Sequence, residues 1–188
     1  MLIVKIVFTC LLIGLGSAVL QSRSRQIFSC DDVLNKQIAL EFNASQTYLS
    51  LSVKESWKEE LGHAEKLIDY GVMRGAKVEV PALMKPDHSK WGEMSVCEVL
   101  ELSLELEKKV NEHLHEIVKC ANESKDIQLG SMIEDEFIDE QYETNKFLAE
   151  LLTKIERNTM QLLQNGTQVS ICDGYGLTLV DKELLKSN

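Results

Sequence analysis

The chain has 188 residues, 44% hydrophobic and 27% charged, which is enough for one domain with one hydrophobic core. Its 30 Asp and Glu outnumber its 20 Lys and Arg, and the net charge of -10 argues against nucleic acid as a partner. With 2 Pro, 10 Gly and no sustained strand-like alternation, the sequence favours an all-α fold.

The N-terminal residues 1–18 are apolar apart from Lys5 and end in small residues. This pattern predicts a secretory signal peptide that is cleaved. The alternative is an uncleaved anchor, for which the apolar run is close to the minimum length. We therefore expect a secreted protein or one in the lumen of the secretory pathway, with no membrane contact after cleavage.

Cysteines and glycosylation sequons fit that compartment. The cysteines outside the signal segment are Cys30, Cys97, Cys120 and Cys172. Their spacing does not match a zinc site, and they are able to form disulfides whose pairing the sequence leaves open. Three sequons begin at Asn43, Asn122 and Asn165, and the last two are the stronger candidates because Asn43 falls inside a predicted helix.

Apolar periodicity predicts four long helices. The first follows Cys30-Asp31-Asp32, which offers an N-cap, and the second starts at about Lys54 and ends in the Gly71–Gly75 region. The third spans about 95–122 and the fourth about 126–164. Residues 177–185 predict a short fifth helix outside the bundle.

The connection between the second and third helices, Gly75–Glu93, is extended because Pro81 and Pro86 disfavour helix. A connection of this length can run the full length of a bundle and join parallel neighbours. We expect a four-helix up-down bundle with one long crossover.

A possible metal site centres on Glu60 and His63 in the second helix. Their i, i+3 spacing places a carboxylate and an imidazole on one helix face, as in bundles that hold two iron ions with further carboxylates from facing helices. The facing candidates are Glu41, Glu107 and Gln141. The competing interpretation is a solvated acidic helix.

Several segments, in order, resemble ferritin over nearly the whole of residues 28–188. They are Gln37–Ser50, Glu59–Leu67, Arg74–Gly75, Lys85–Trp91, Leu106–Asn111 and Phe137–Gln141. The resemblance implies a heavy-type ferritin subunit in a ferritin-like diiron domain. Such a subunit is a ferroxidase that oxidises Fe(II) to Fe(III) with dioxygen and stores ferric mineral in a shell of 24 like or mixed ferritin subunits.

The resemblance also assigns site residues. Glu41, Glu60 and His63 correspond to the first iron site, with Glu60 bridging to a second site completed by Glu107. Gln141 orients bound water or dioxygen. Hard carboxylate oxygens with one imidazole suit Fe(II) and stabilise Fe(III).

Four further positions match or depart from the family pattern. Tyr48 matches the tyrosine beside the iron centre. Glu59 and Glu65 correspond to inner-surface acids that help mineral nucleation, whereas Gly62 replaces the intermediate glutamate.

The threefold pore also departs from the family. Glu134 is retained there, but Ser131 occupies the position of the companion aspartate. A ring of three carboxylates rather than six would attract Fe(II) less strongly.

One conflict runs through the assignment. Glu41 and Glu60 are 19 residues apart, whereas Glu107 and Gln141 are 34 apart, although the family has nearly equal spans. The chain therefore resembles a ferritin lacking the end of the first helix, the turn and the start of the second, as a splice form or an erroneous gene model would.

Two structures are compatible with that deletion. Fusion into one helix would separate Glu41 and Glu60 by about 28 Å at 1.5 Å per residue and abolish the centre. A short hairpin bridged by Leu51–Ser56 would keep the glutamates together, and burial of the apolar helix faces favours it. We expect the short hairpin to lower stability at the end of the bundle near Val118 and Ile127, where the helices would lose apolar cover.

Three functions remain in competition. The leading one is a ferroxidase and iron-storage subunit, and the second is a shell subunit whose iron centre the short hairpin disrupts. The third is a helical cytokine-like ligand, which buried Glu and His ligands argue against.

Overall fold

In the computed structural model, residues 28–51, 53–82 and 94–164 are described, and within them every regular element is helical. The elements are α1 (Asp31–Ser50), α2 (Lys54–Arg74), α3 (Val96–Ser124), α4 (Ile127–Ile133), a π-helical turn (Glu134–Ile138) and α5 (Asp139–Gln164). The predicted all-α four-helix fold is confirmed. The proposed signal peptide, the fifth helix and residues 83–93 of the connection lie outside the described residues.

Local sequence explains most helix ends. Ser95 and Glu98 form a reciprocal capping box at the start of α3. Gly75 ends α2 in the left-handed conformation at φ 69°, which glycine adopts without a Cβ penalty. The predicted cap of α1 was wrong: Cys30 makes no side-chain cap, and the Asp31 carboxylate instead accepts a hydrogen bond from the Lys77 backbone N–H.

The fourth predicted helix is interrupted rather than continuous. Between α4 and α5 the chain widens into the π-helical turn Glu134–Ile138, whose Phe137 and Ile138 are both buried. One extra residue per turn changes which side chains face the core, and such turns are common beside functional sites. The apolar periodicity alone did not predict this insertion.

The main core lies between all four long helices. Its largest fully buried apolar side chains come from α1, α2, α3 and the α4–α5 region: Leu34, Ile38, Leu67, Leu114, Ile117, Leu129, Ile133 and Phe137. Burying a side chain of this size contributes about 1.5–3 kcal/mol, so the facing apolar stripes hold the helices together.

Covalent and ionic contacts join the four helices at one end of the bundle. A disulfide links Cys30, before α1, to Cys120 near the end of α3. Arg74, at the end of α2, pairs with Asp126 at 2.7 Å, and Asp126 also caps α4 by accepting from the Leu129 backbone N–H. Cys97 is disulfide-bonded as well.

The turn between α1 and α2 is short and intact. α1 ends at Ser50 and α2 begins at Lys54, so Glu41 and Glu60 lie on separate helices. Ser45 Oγ donates to the Trp57 carbonyl at 3.2 Å, and the Val53 N–H donates to the Tyr48 carbonyl at 2.9 Å. The predicted hairpin is therefore present, with α2 starting three residues earlier than Trp57.

The prediction that the short hairpin exposes the bundle end near Val118 and Ile127 was wrong. Tyr48 contacts Glu107 and Cys30 contacts Cys120, so α1 and α3 run antiparallel and the turn lies near the start of α3. Val118 instead lies at the disulfide end and packs against the main core. The part of α3 beyond the turn forms a separate small apolar cluster with α5, made of Cys97, Leu100, Leu151, Leu152 and Ile155.

No helix in the described part of the chain combines the length and apolar character needed to span a bilayer.

Replacing both Cys30 and Cys120 by Ala should lower the free energy of unfolding by about 4 kcal/mol, because the disulfide closes a loop of 90 residues. Chemical denaturation measures the loss. Glu123→Ala, an exposed position on the same turn of α3, is the matched control and should change little. Equal stabilities of the double variant and the control would contradict the role of this disulfide.

Candidate metal centre

Three helix residues bring possible metal ligands to one point inside the bundle. Glu41 of α1 and the Glu60–His63 pair of α2 are all buried, and one ligand atom from each lies within 4.8 Å of the others. Glu60 and His63 share a face of α2 because they are three residues apart. The short hairpin then sets Glu41 opposite them.

The hydrogen bonding of these three residues is incomplete. Among the described residues, Glu41 Oε2, Glu60 Oε2 and His63 Nδ1 are buried and find no hydrogen-bond partner. His63 Nδ1 and Glu60 Oε2 lie 3.6 Å apart, too far for a hydrogen bond. Buried polar atoms without partners are costly, and a cation among these three would satisfy all of them.

The other side of His63 is held in place. Its Nε2 lies 3.3 Å from Glu140 Oε2 of α5, and its ring stacks at a tilt on Phe137 of the π-helical turn at 5.2 Å. A carboxylate that accepts from Nε2–H leaves Nδ1 as the lone-pair nitrogen, directed at Glu60. The sequence analysis assigned no role to Glu140, although this residue directly precedes the candidate ligand Gln141.

Glu107 of α3 lies beside the three-residue cluster but outside the set of atoms within 4.8 Å. Tyr48 donates to Glu107 Oε1, and Gln141 Nε2 donates to Glu107 Oε2 at 2.8 Å. Gln141 in turn contacts Asn145 through its carbonyl groups. The structure thus brings all six predicted centre residues together, but it shows Glu107 hydrogen-bonded where the prediction had it converge with Glu41, Glu60 and His63 on one point.

Burial and mutual repulsion perturb the acids. Burial, with the neighbouring Glu60 carboxyl, raises the pKa of Glu41 well above its usual value. Burial and the charge of Glu60 raise the pKa of Glu107 to about 7. The pKa of His63 is also raised, since Glu60 and Glu140 together outweigh the opposing effect of burial. A cation would remove the repulsion that raises the carboxyl pKa values.

The predicted nucleation residues surround this cluster differently. Glu59 lies beside Glu140, and burial together with that carboxyl raises its pKa to about 7. Glu65 is exposed, and the space around Gly62 is open. Glu134 and Ser131, the predicted pore positions, are both exposed on this chain.

A polar chain behind Glu41 was not predicted. Gln37, one helical turn before Glu41, is fully buried and donates from Nε2 to Glu41 Oε1 at 2.6 Å. Its Oε1 contacts His113 Nδ1 of α3 at 2.8 Å. The i, i+4 spacing of Gln37 and Glu41 could have indicated the first contact, whereas the second depends on helix packing.

The donor set fits a hard or borderline divalent cation. Carboxylate oxygens with one imidazole nitrogen are ligands that suit iron. The cluster of Glu41, Glu60 and His63 contains no thiolate, the ligand that softer metals prefer. Glu41 keeps one oxygen free because Gln37 occupies the other. The cluster can therefore hold a cation without breaking an existing hydrogen bond.

Comparison with known proteins identifies the family. A family profile described as "Ferritin-like domain" matches residues 32–158. The chain belongs to the ferritin family. Ferritin membership supports iron storage as the function, and the ligand atoms of the buried carboxylate and histidine cluster are arranged so that they could hold a metal ion.

Individual ferritins share about a third of their residues with this chain. Ferritin-2, chloroplastic, of Zea mays is 33% identical, with 88% of this chain and 68% of the maize protein covered. Soma ferritin of Lymnaea stagnalis is 29% identical, with 89% and 98% covered. Ferritin of Pacifastacus leniusculus is 33% identical, with 80% and 84% covered.

The alignments with these ferritins contain more positions than the number of residues of this chain that they include. The maize alignment runs over 185 positions, whereas 88% of 188 residues is about 165, so about 20 positions of the relative have no counterpart here.

Replacing Glu107 by Gln should stabilise the metal-free protein at pH 7.5 by about 1–2 kcal/mol. The folded-state pKa of Glu107 is about 7 against a usual 4.5, so between these values the folded state binds more protons than the unfolded state. Stability of the wild type should therefore fall as pH rises through this window, and less so in the variant.

Thermal or chemical denaturation from pH 4.5 to 8 measures that difference, with Glu112→Gln, exposed on the same helix, as control. A pH profile of Glu107→Gln identical to that of the wild type would contradict the burial argument.

Proposed function

We propose that this chain is a heavy-type ferritin subunit that oxidises Fe(II) with dioxygen and stores the ferric product. The observation that supports this proposal is the buried cluster of Glu41, Glu60 and His63. Each of these residues keeps one ligand atom without a hydrogen-bond partner among the described residues. A protein that only needed a packed bundle would gain by replacing these groups with apolar ones.

In this proposal Glu41, Glu60 and His63 bind one Fe(II), and Glu60 and Glu107 share the second. Fe(II) supplies the electrons and dioxygen accepts them. Each Glu107 oxygen accepts one hydrogen bond, from Tyr48 or from Gln141, and keeps lone-pair capacity for the cation, while these two residues lie close enough to donate to bound water or dioxygen. The negative charge of the carboxylates stabilises Fe(III) more than Fe(II), which favours oxidation.

The alternative is a ferritin shell subunit without oxidase activity. The position of Glu107 favours it, since this carboxylate lies outside the tight cluster and both of its oxygens already accept a hydrogen bond, one from Tyr48 and one from Gln141. Under this alternative one cation still binds to Glu41, Glu60 and His63, but no second iron joins it. Metal stoichiometry and oxidation rate therefore separate the two functions.

We further propose that the turn between α1 and α2 is where this chain lacks residues found in other ferritins. Two independent observations support it: the 19-residue span from Glu41 to Glu60, and the roughly 20 unmatched positions in the maize alignment. The short turn leaves the first residues of α3 to pack with α5 in a cluster of their own.

Glu60→Ala should lower the initial rate of aerobic Fe(II) oxidation by at least about tenfold, because Glu60 serves both iron positions. Stopped-flow absorbance of ferric product measures the rate. Glu112→Ala, exposed on α3, is the matched control and should match the wild type. A wild type no faster than Glu60→Ala, with one cation bound per chain, would establish the non-catalytic alternative instead.

The folded chain should assemble into a closed shell of 24 subunits rather than remain a monomer, since ferritin subunits form closed symmetric assemblies. Sedimentation velocity distinguishes the two by size. Asn122→Ala serves as a control for handling of the variants. A single species of the size of one chain would contradict shell assembly.

The chain should be exported, with residues 1–18 removed and at least Asn165 glycosylated. The buried Cys30–Cys120 disulfide supports an oxidising compartment, because disulfides are rare in proteins of the reducing cytosol. Mass spectrometry of protein from its native source measures the N-terminus and the glycans. Cytosolic protein that retains residues 1–18 would contradict export.

A further inference from the structure

We propose that His113 is a positioning residue for Glu41 and acts through the Gln37 amide. It does not touch the candidate metal ligands itself. This inference rests on the proposed iron site, and it adds a residue of α3 that lies one and a half turns away from Glu107.

Hydrogen-bonding capacity fixes the direction of the contacts. Gln37 Oε1 can only accept, so the facing His113 Nδ1 must carry the proton and donate across 2.8 Å. With its carbonyl oxygen thus occupied, Gln37 presents Nε2–H to Glu41 Oε1 at 2.6 Å. With Nδ1 protonated, a flipped amide would set its oxygen against the Glu41 carboxylate and its Nε2–H against the His113 Nδ1–H.

The orientation of Glu41 follows from that amide. Gln37 holds Oε1, and this leaves Oε2 as the oxygen without a hydrogen-bond partner among the described residues. Oε2 is then free for a cation shared with Glu60 and His63. Because Gln37 is fully buried, water cannot replace a missing donor without rearrangement.

His113 is suited to this task by its surroundings. Its side chain is 13% exposed, with Nε2 lying 3.4 Å from the exposed Glu116 carboxylate on the next turn. Burial is the main cause that lowers the pKa of His113, and this favours the neutral ring, which has one donor and one acceptor nitrogen. A neutral ring donates from Nδ1 without adding charge beside a cation site.

The matched variants are His113→Phe, which keeps a ring but removes the donor, and His113→Asn, whose amide nitrogen replaces Nδ1. His115→Phe is the control, because His115 is an exposed histidine of the same helix that contacts Tyr142 instead. Gln37→Leu removes the relay itself.

The first readout is the affinity of the metal-free protein for Zn²⁺, a redox-inert probe, measured by titration calorimetry as the binding that Glu60→Ala eliminates. His113→Phe should weaken it about fivefold, while His113→Asn and His115→Phe stay within about twofold of wild type. In a Gln37→Leu background, His113→Phe should cause no further loss of Zn²⁺ affinity, because the hydrogen-bonded link to Glu41 is already broken.

The second readout is the kinetics of Fe(II) oxidation. His113→Phe should raise KM about fivefold with kcat nearly unchanged, because the relay positions a ligand and takes no part in electron transfer. A merely structural role would instead lower the amount of folded protein without this split, and His113→Asn would not rescue it.

Wild-type affinity and KM in folded His113→Phe would overturn the inference, and so would failure of His113→Asn to restore them. A wild type without Glu60-dependent Zn²⁺ binding would overturn the proposed function instead. In that event metal-free crystal structures still decide the positioning role: it holds if Glu41 Oε1 loses Gln37 in His113→Phe, and it falls if that contact persists.

Discussion

The antiparallel alignment of α1 with α3 is the constraint on which the rest of the site depends. Three contacts mark it along the bundle: the Cys30–Cys120 disulfide, the Gln37–His113 hydrogen bond and the Tyr48–Glu107 hydrogen bond. They place Glu41 at the level of Glu107 whatever happens at the far turn. The short hairpin then only has to return α2 to that level, which its three-residue connection does.

The site's chemistry opposes the stability of the metal-free bundle. Three carboxyl groups and an imidazole are buried among apolar helix faces, and burial with mutual repulsion raises the pKa values of Glu41 and Glu107. The disulfide and the Arg74–Asp126 pair at one end of the bundle, together with the main apolar core, offset this cost. The stability of the fold and the function of the centre are thus supplied by different residues of the same four helices.

The resemblance to ferritin assigned the site residues, and helical periodicity alone accounts for only part of them. Glu60 and His63 share a helix face by their i, i+3 spacing, and burial of the apolar helix faces favoured the hairpin that carries Glu41 beside them. Features set by packing were missed: the π-helical turn that buries Phe137 against His63, and the contact of His113 with Gln37. The prediction that the bundle end near Val118 would be exposed was wrong. Helix lengths can be estimated from the sequence, but the contacts between α1 and α3 decide which helix ends lie beside the α1–α2 turn.

Crystals soaked anaerobically in Fe(II) and measured at the iron absorption edge test whether α1, α2 and α3 hold metal between them. We predict an anomalous peak within bonding distance of Glu41, Glu60 and His63, with a second peak near Glu107 if the chain is an oxidase. Glu41 and Glu60 on one continuous helix, or no peak among these side chains, would contradict it.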